Sequence, residues 1–162
     1  RVREMGGPAG TPVGLAPALI YIAYGAFGLT GLLTGQVKAA IGLPWLLRLL
    51  MVAGALSAVL VALLPSSWAG LIASAALQGV YVMMTSAVLA FWSERLFPRL
   101  PAFGFTAALL AMAAGSVAGP ALAGVVADSH GTAAMFLSTA MLPAATALLL
   151  RDGHVRERSA ER

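Results

Sequence analysis

The chain contains no cysteine, which excludes a disulfide framework and any thiolate metal site. Charge is nearly as scarce. Only 10% of the 162 residues are Asp, Glu, Lys or Arg, against about 25% in a soluble domain, too few to cover a surface that faces water. The charges are also bunched, leaving Gly6–Val37, Leu49–Ser93, Leu100–Ala127 and Ser129–Leu150 without any. Apolar runs of about 18 or more residues read as membrane spans, because roughly 20 helical residues cross a hydrocarbon layer of about 30 Å. A buried soluble helical protein would not need four such runs.

The same scarcity limits chemistry. No span holds Asp, Glu, Lys, Arg or His within its apolar core; Asp128 and His130 fall between two spans, and His154 lies in the tail. Metal binding, acid–base catalysis or a nucleophilic triad needs several such groups converging. No enzyme activity, metal or cofactor is therefore expected. Proton or ion coupling also draws on intramembrane ionisable groups, and none is offered here.

What is abundant is apolar: 60% of residues are hydrophobic and the mean hydropathy is +0.90. The expected fold is all-α, a polytopic membrane bundle of five spans at about 14–35, 45–64, 69–92, 102–126 and 132–150. Residues 1–13 form an outer loop or linker, and 151–162 a charged cytoplasmic tail. The long charge-free block is split at "PSSW" (Pro65 to Trp68), where Pro stops one helix and Ser can cap the next. The "ADSHG" stretch (Ala127 to Gly131) is expected to be a loop between the last two spans.

The net charge of +4 does not mark a nucleic-acid binder, because the basic residues sit at span ends and in the tail rather than along one groove. Lys38, Arg48, Arg95, Arg99, Arg151, Arg156, Arg158 and Arg162 fall on one side, and only Arg1 and Arg3 on the other. Positive loops stay in the cytoplasm. The expected location is the bacterial cytoplasmic membrane, with the N-terminus of this segment outside and the C-terminus inside. The opening "RVREMGGPAG" has no apolar signal core, so a preceding helix is expected to deliver it outside, as the tail end of a longer protein.

Three helix faces stand out. On the third span Gln78, Tyr81, Thr85, Val88 and Trp92 share a narrow face at roughly 100° per residue. Polar groups inside an apolar helix turn toward protein or a cavity rather than lipid. They read as the wall of a solute pathway, or more plainly as interhelical hydrogen bonding with Trp92 an interfacial anchor. On the first span Tyr21, Tyr24, Gly25, Gly28, Gly31 and Gly35 share a face. Its glycines suit close helix packing, and the two tyrosines at its outer end are ligand candidates. On the fourth span Gly104, Ala108, Ala111, Gly115 and Gly119 form a small-residue ridge. Pro120 leaves the Ser116 carbonyl without its helical donor and bends the helix. A tightly packed, kinked helix is expected.

Two segments resemble the C-terminal part of a major facilitator superfamily transporter. "GLLTGQVKAAIGLPWLLRLL" is similar to the superfamily's repeated cytoplasmic loop motif, with Gly35, Lys38, Gly42 and Arg48 at matching places and the acidic member of the motif absent. "GSVAGPALAGVVADSHG" is similar to the glycine–proline helix and outer loop before the last helix. "GLLTG" and "GSVAGP" bear a fainter likeness to the bacterial YbfB/YjiJ-like branch. The resemblance implies that the five spans are the last five of twelve helices, with a small-molecule solute, the bilayer and the missing N-terminal helices as partners. It also implies that the third span lines the pathway. The competing expectation is a self-standing membrane scaffold that dimerises through its glycine-rich faces.

Overall fold

A computed structural model describes residues 15–150. The expected outer linker and cytoplasmic tail lie outside the described residues. Every element described is helical: α1 (Leu15–Gly28), a 3-10 stretch (Leu29–Leu33), α2 (Thr34–Ile41), α3 (Leu43–Leu63), α4 (Trp68–Leu96) and α5 (Pro101–Leu149). Leu15–Ile41, Leu43–Leu63, Trp68–Glu94 and Ala102–Leu149 are each long and apolar enough to cross a membrane. The chain is an all-α, multi-pass membrane protein.

The links follow local chemistry. Helix α2 ends at Gly42, whose φ of 80° and ψ of 158° make a single-residue corner in a region that favours glycine. Pro44 then sits in the first turn of α3, where its missing N–H is no loss. The first span, expected to stop at Gly35, therefore runs on to Ile41. One glycine does not end a helix when no breaker follows it. At the other end of α3, Pro65 and Ser66 form the turn, and Ser67 caps α4 by accepting the Gly70 N–H at 3.3 Å.

Helix α5 departs most from expectation. The "ADSHG" loop is absent, and helix continues through Asp128, Ser129 and His130. Ser129 donates back to the Val125 carbonyl at 2.7 Å and meets His130 Nδ1 at 2.7 Å, so the serine is satisfied within the helix. The break falls at Gly131 (φ 85°, ψ 162°), the last residue of that stretch, which separates two helical segments. The expected fourth and fifth spans are thus two helical segments that meet at Gly131 without a loop between them. No such departure occurs at Pro120, where the dihedrals stay helical.

Helix α4 is central, packing against α1, α3 and α5, while α3 also packs against α5. Its contact with α1 is the tightest. A side chain at Gly79 would overlap the Tyr24 carbonyl oxygen, and Gly28 and Gly31 leave room for Met83. Between α3 and α4, near Lys38 and Arg48, lies an apolar cluster of Leu43, Leu46, Leu47, Leu50, Met84 and Val88. Lipid is as apolar as leucine, so close packing and interhelical hydrogen bonds hold such a bundle, rather than escape from water. The outward faces fit that setting, with Leu32, Val117 and Leu148 each more than three-quarters exposed.

A four-helix cavity as candidate functional site

Above the apolar cluster, toward the Ser67 turn, the helices part around a cavity of about 600 Å³. Helix α1 contributes Ile20, Tyr21 and Tyr24, and α3 contributes Gly54, Ser57, Ala58 and Val61. Leu71, Ser74, Ala75, Gln78 and Tyr81 come from α4, and Phe136, Thr139, Leu142 and Pro143 from the segment of α5 beyond Gly131. The volume falls within the range of about 300–1,000 Å³ usual for small-molecule sites.

Four of the five residues singled out as pathway candidates, Tyr21, Tyr24, Gln78 and Tyr81, line this one space. They come from two helices held at their closest approach by Gly28 and Gly79. Gly54 shapes the opposite wall. A β-carbon there would stand 3.2 Å from two ring carbons of Tyr81, so its absence lets the ring lie back against α3. Ser57 and Ser74 are buried and bonded to each other across α3 and α4, and the Thr139 hydroxyl donates to the Met135 carbonyl within α5. Among the described residues the side chains of Tyr21, Tyr24, Gln78 and Tyr81 carry no hydrogen bond, so three phenols and a carboxamide among the lining residues are uncommitted.

Thr85 does not line the cavity. Its hydroxyl is buried without a partner, one turn below Tyr81. Val88 and Trp92, on the same face, pack into the apolar cluster. The polar face of the third span is therefore divided, its upper half to the cavity and its lower half to packing. Sequence periodicity gives direction around a helix but not depth along it.

The other expectations divide similarly. Gly28 and Gly31 pack closely, but Gly25 and Gly35 have open space where a side chain would be. The ridge is the larger correction. Gly115 and Gly119, expected to press against a neighbouring helix, have nothing within 4 Å, because residues 102–130 of α5 lie mostly outside the packed bundle. Of the loop motif, Gly35 and Lys38 border a second cavity with Phe91 and Glu94, and Lys38 Nζ stands 6.0 Å from the Phe91 ring centre. Gly42 forms the corner. Arg48 reaches the end of α5, donating from Nε and Nη2 to the Leu150 carbonyl at 3.2 and 2.8 Å, over the Trp45 ring.

Sequence reasoning missed Ser57, Ser74, Gly54, Gly79 and the whole α5 wall. The two serines carried a signal, as hydroxyls within apolar spans. Phe136, Leu142 and Pro143 carried none. Comparison with protein-family models, curated proteins and solved structures gave no match.

Proposed function

We propose that the chain is part of a secondary transporter that moves a small organic solute across the bacterial cytoplasmic membrane by alternating access. The observation that carries this reading is the cavity lined by Tyr21, Tyr24, Gln78 and Tyr81, whose polar groups are uncommitted. Such groups within an apolar bundle serve a solute better than they serve packing. With Lys38 and Arg48 on the cytoplasmic side, the cavity faces outward. The cluster of Leu47, Leu50, Met84 and Val88 then closes the inner side and must part for solute to pass. The resemblance to the major facilitator superfamily supports the same reading and calls for further helices, which would cover the bare face of residues 102–130.

A second reading has its own observation. Gly115, Gly119 and Gly124 all have open space around them, as a scaffold that pairs through small-residue faces would require. The deciding experiment is transport by the protein, with its upstream coding sequence, in proteoliposomes against a panel of solutes. Transport that Gln78→Ala impairs without loss of expression supports the first reading. Unchanged rate and affinity for every accepted solute would remove Gln78 from the pathway.

A further inference from the structure

We infer that the cavity takes an uncharged, planar organic molecule bearing an amide-like edge, and that Gly54 sets the size of ring it admits. The inference rests on the reading of the cavity as a solute site.

Charge comes first. No Asp, Glu, Lys, Arg or His is among the described residues that line the cavity. An ion without a counter-charge inside an apolar bundle is disfavoured. The wall that these helices supply offers dipoles only, and those suit a neutral guest. Ser57, Ser74 and Thr139 have already spent their protons on protein acceptors.

Shape follows from what remains. Tyr24, Tyr81 and Phe136 put aromatic rings on three different helices around the space, and stacking on such rings favours flat, conjugated guests. Among the described residues of the lining, Gln78 is the one carboxamide. It presents a donor and an acceptor side by side, the complement of an amide, lactam or similar edge. A guest lacking that edge would leave Gln78 unpaired, which is where selectivity arises. The width across α3 and α4 depends on Tyr81 lying back where Gly54 has no side chain, since a β-carbon would reach its ring carbons at 3.2–3.3 Å. A β-carbon at 54 requires the Tyr81 ring to give by a few tenths of an ångström, and bulkier residues there take more of the width.

The test uses three probes of one shape: naphthalene-2-carboxamide, 2-naphthoate and naphthalene-2-carboxamidine, the last a cation. Binding is measured by equilibrium dialysis against the protein with its upstream coding sequence in lipid nanodiscs, with empty nanodiscs subtracting partition into lipid. The carboxamide should bind saturably and at least about tenfold tighter than either ion. Gln78→Ala should weaken it by about tenfold, since both the donor and the acceptor facing the amide edge are lost, and Gln78→Met, which keeps the bulk, should do the same. Gly54→Ala should weaken the naphthalene probe more than the single-ring benzamide, with no polar group touched. Either ion binding as tightly as the carboxamide, or no saturable carboxamide binding, overturns the inference. Selective binding without transport would leave it standing and remove the transporter. Transport of an ion through a Gln78-dependent site would do the reverse.

Discussion

Ser57 on α3 and Ser74 on α4 grip each other's backbone. The Ser74 hydroxyl donates to the Ser57 carbonyl at 2.8 Å. The Ser57 hydroxyl lies 3.1 Å from both the Ser74 carbonyl and the Ser74 hydroxyl. Each hydroxyl has one proton. With that of Ser74 committed to the Ser57 carbonyl, the Ser57 proton goes to one of the two Ser74 oxygens. The pair closes α3 against α4 beside the cavity, where an apolar contact would give no directional restraint.

Ser57→Ala and Ser74→Ala should therefore each lower stability modestly, by about 0.6 kcal/mol in a membrane setting, because each leaves one of the two backbone bonds in place. The double substitution removes both. Steric-trap unfolding in bicelles would measure it, and single-substitution losses equal to that of the pair would show that the two bonds act as one unit. No loss in any variant would mean that the clasp restrains nothing.

The glycines of the α1–α4 contact should rank by what a β-carbon would meet. Gly79→Ala runs into the Tyr24 carbonyl, which is backbone, and comes within 3.1 Å of the Gly28 nitrogen. Overpacking of that kind is worth about 1–3 kcal/mol, and α1 must shift with Tyr24. Gly31→Ala meets Met83 Cβ at 2.9 Å, close to the backbone. Gly28→Ala meets the more yielding Met83 Cγ at 3.1 Å, and Gly25→Ala meets nothing within 4 Å. Thermal midpoints in detergent should fall in that order, Gly79 lowest and Gly25 near the parent. A flat series would contradict the close approach.

These relations show where sequence and structure part. The turn at Pro65 was legible because it depends on neighbours in the chain: a helix stop, then Ser67 within reach of the Gly70 N–H. The faces of Tyr24 and Gln78 were legible because helical periodicity fixes direction. The uninterrupted helix over Asp128–His130 was not, since polar residues mark a loop only when their side chains compete with the helix, and Ser129 back-bonds within it. Nor was the fate of Thr85, which depends on how far along α4 the helix α3 closes. Gly54 looked like any helical glycine until Tyr81 lay against it.

Arg48 should matter to the end of α5 through geometry as well as charge. A cation at a helix C-terminus is favourable, but two guanidinium nitrogens on one carbonyl need a fork. Arg48→Lys should retain part of the effect and Arg48→Gln little of it. Hydrogen exchange of the last turn before Leu150 should quicken in the order Arg, Lys, Gln. Equal rates in all three would show that the contact does not hold the helix end.

Orientation has a direct test, because the chain has no cysteine of its own. Single cysteines at Ser67, in the α3–α4 turn, and at Ala102, at the start of α5, mark opposite ends of α4. With the native upstream sequence present, an impermeant thiol reagent added outside should label the first and spare the second. The reverse pattern would place Lys38 and Arg48 outside and turn the cavity toward the cytoplasm.

The bare segment of α5 separates the two functional readings. Gly115 and Gly119 have no neighbour within 4 Å, and Val117 and Leu122 are 78% and 69% exposed. Gly115→Leu should thus leave the stability of the chain alone close to that of the parent, since no contact is there to be broken. What the substitution can disturb is a partner helix, for which leucine would prevent close approach. If the partner is a second copy, single-molecule photobleaching in liposomes should show fewer dimers of the chain alone. If it belongs to upstream helices, the chain alone should be unaffected while the longer protein loses transport and yield. If Gly115→Leu changes neither association nor transport, this face is turned to lipid and is no interface at all.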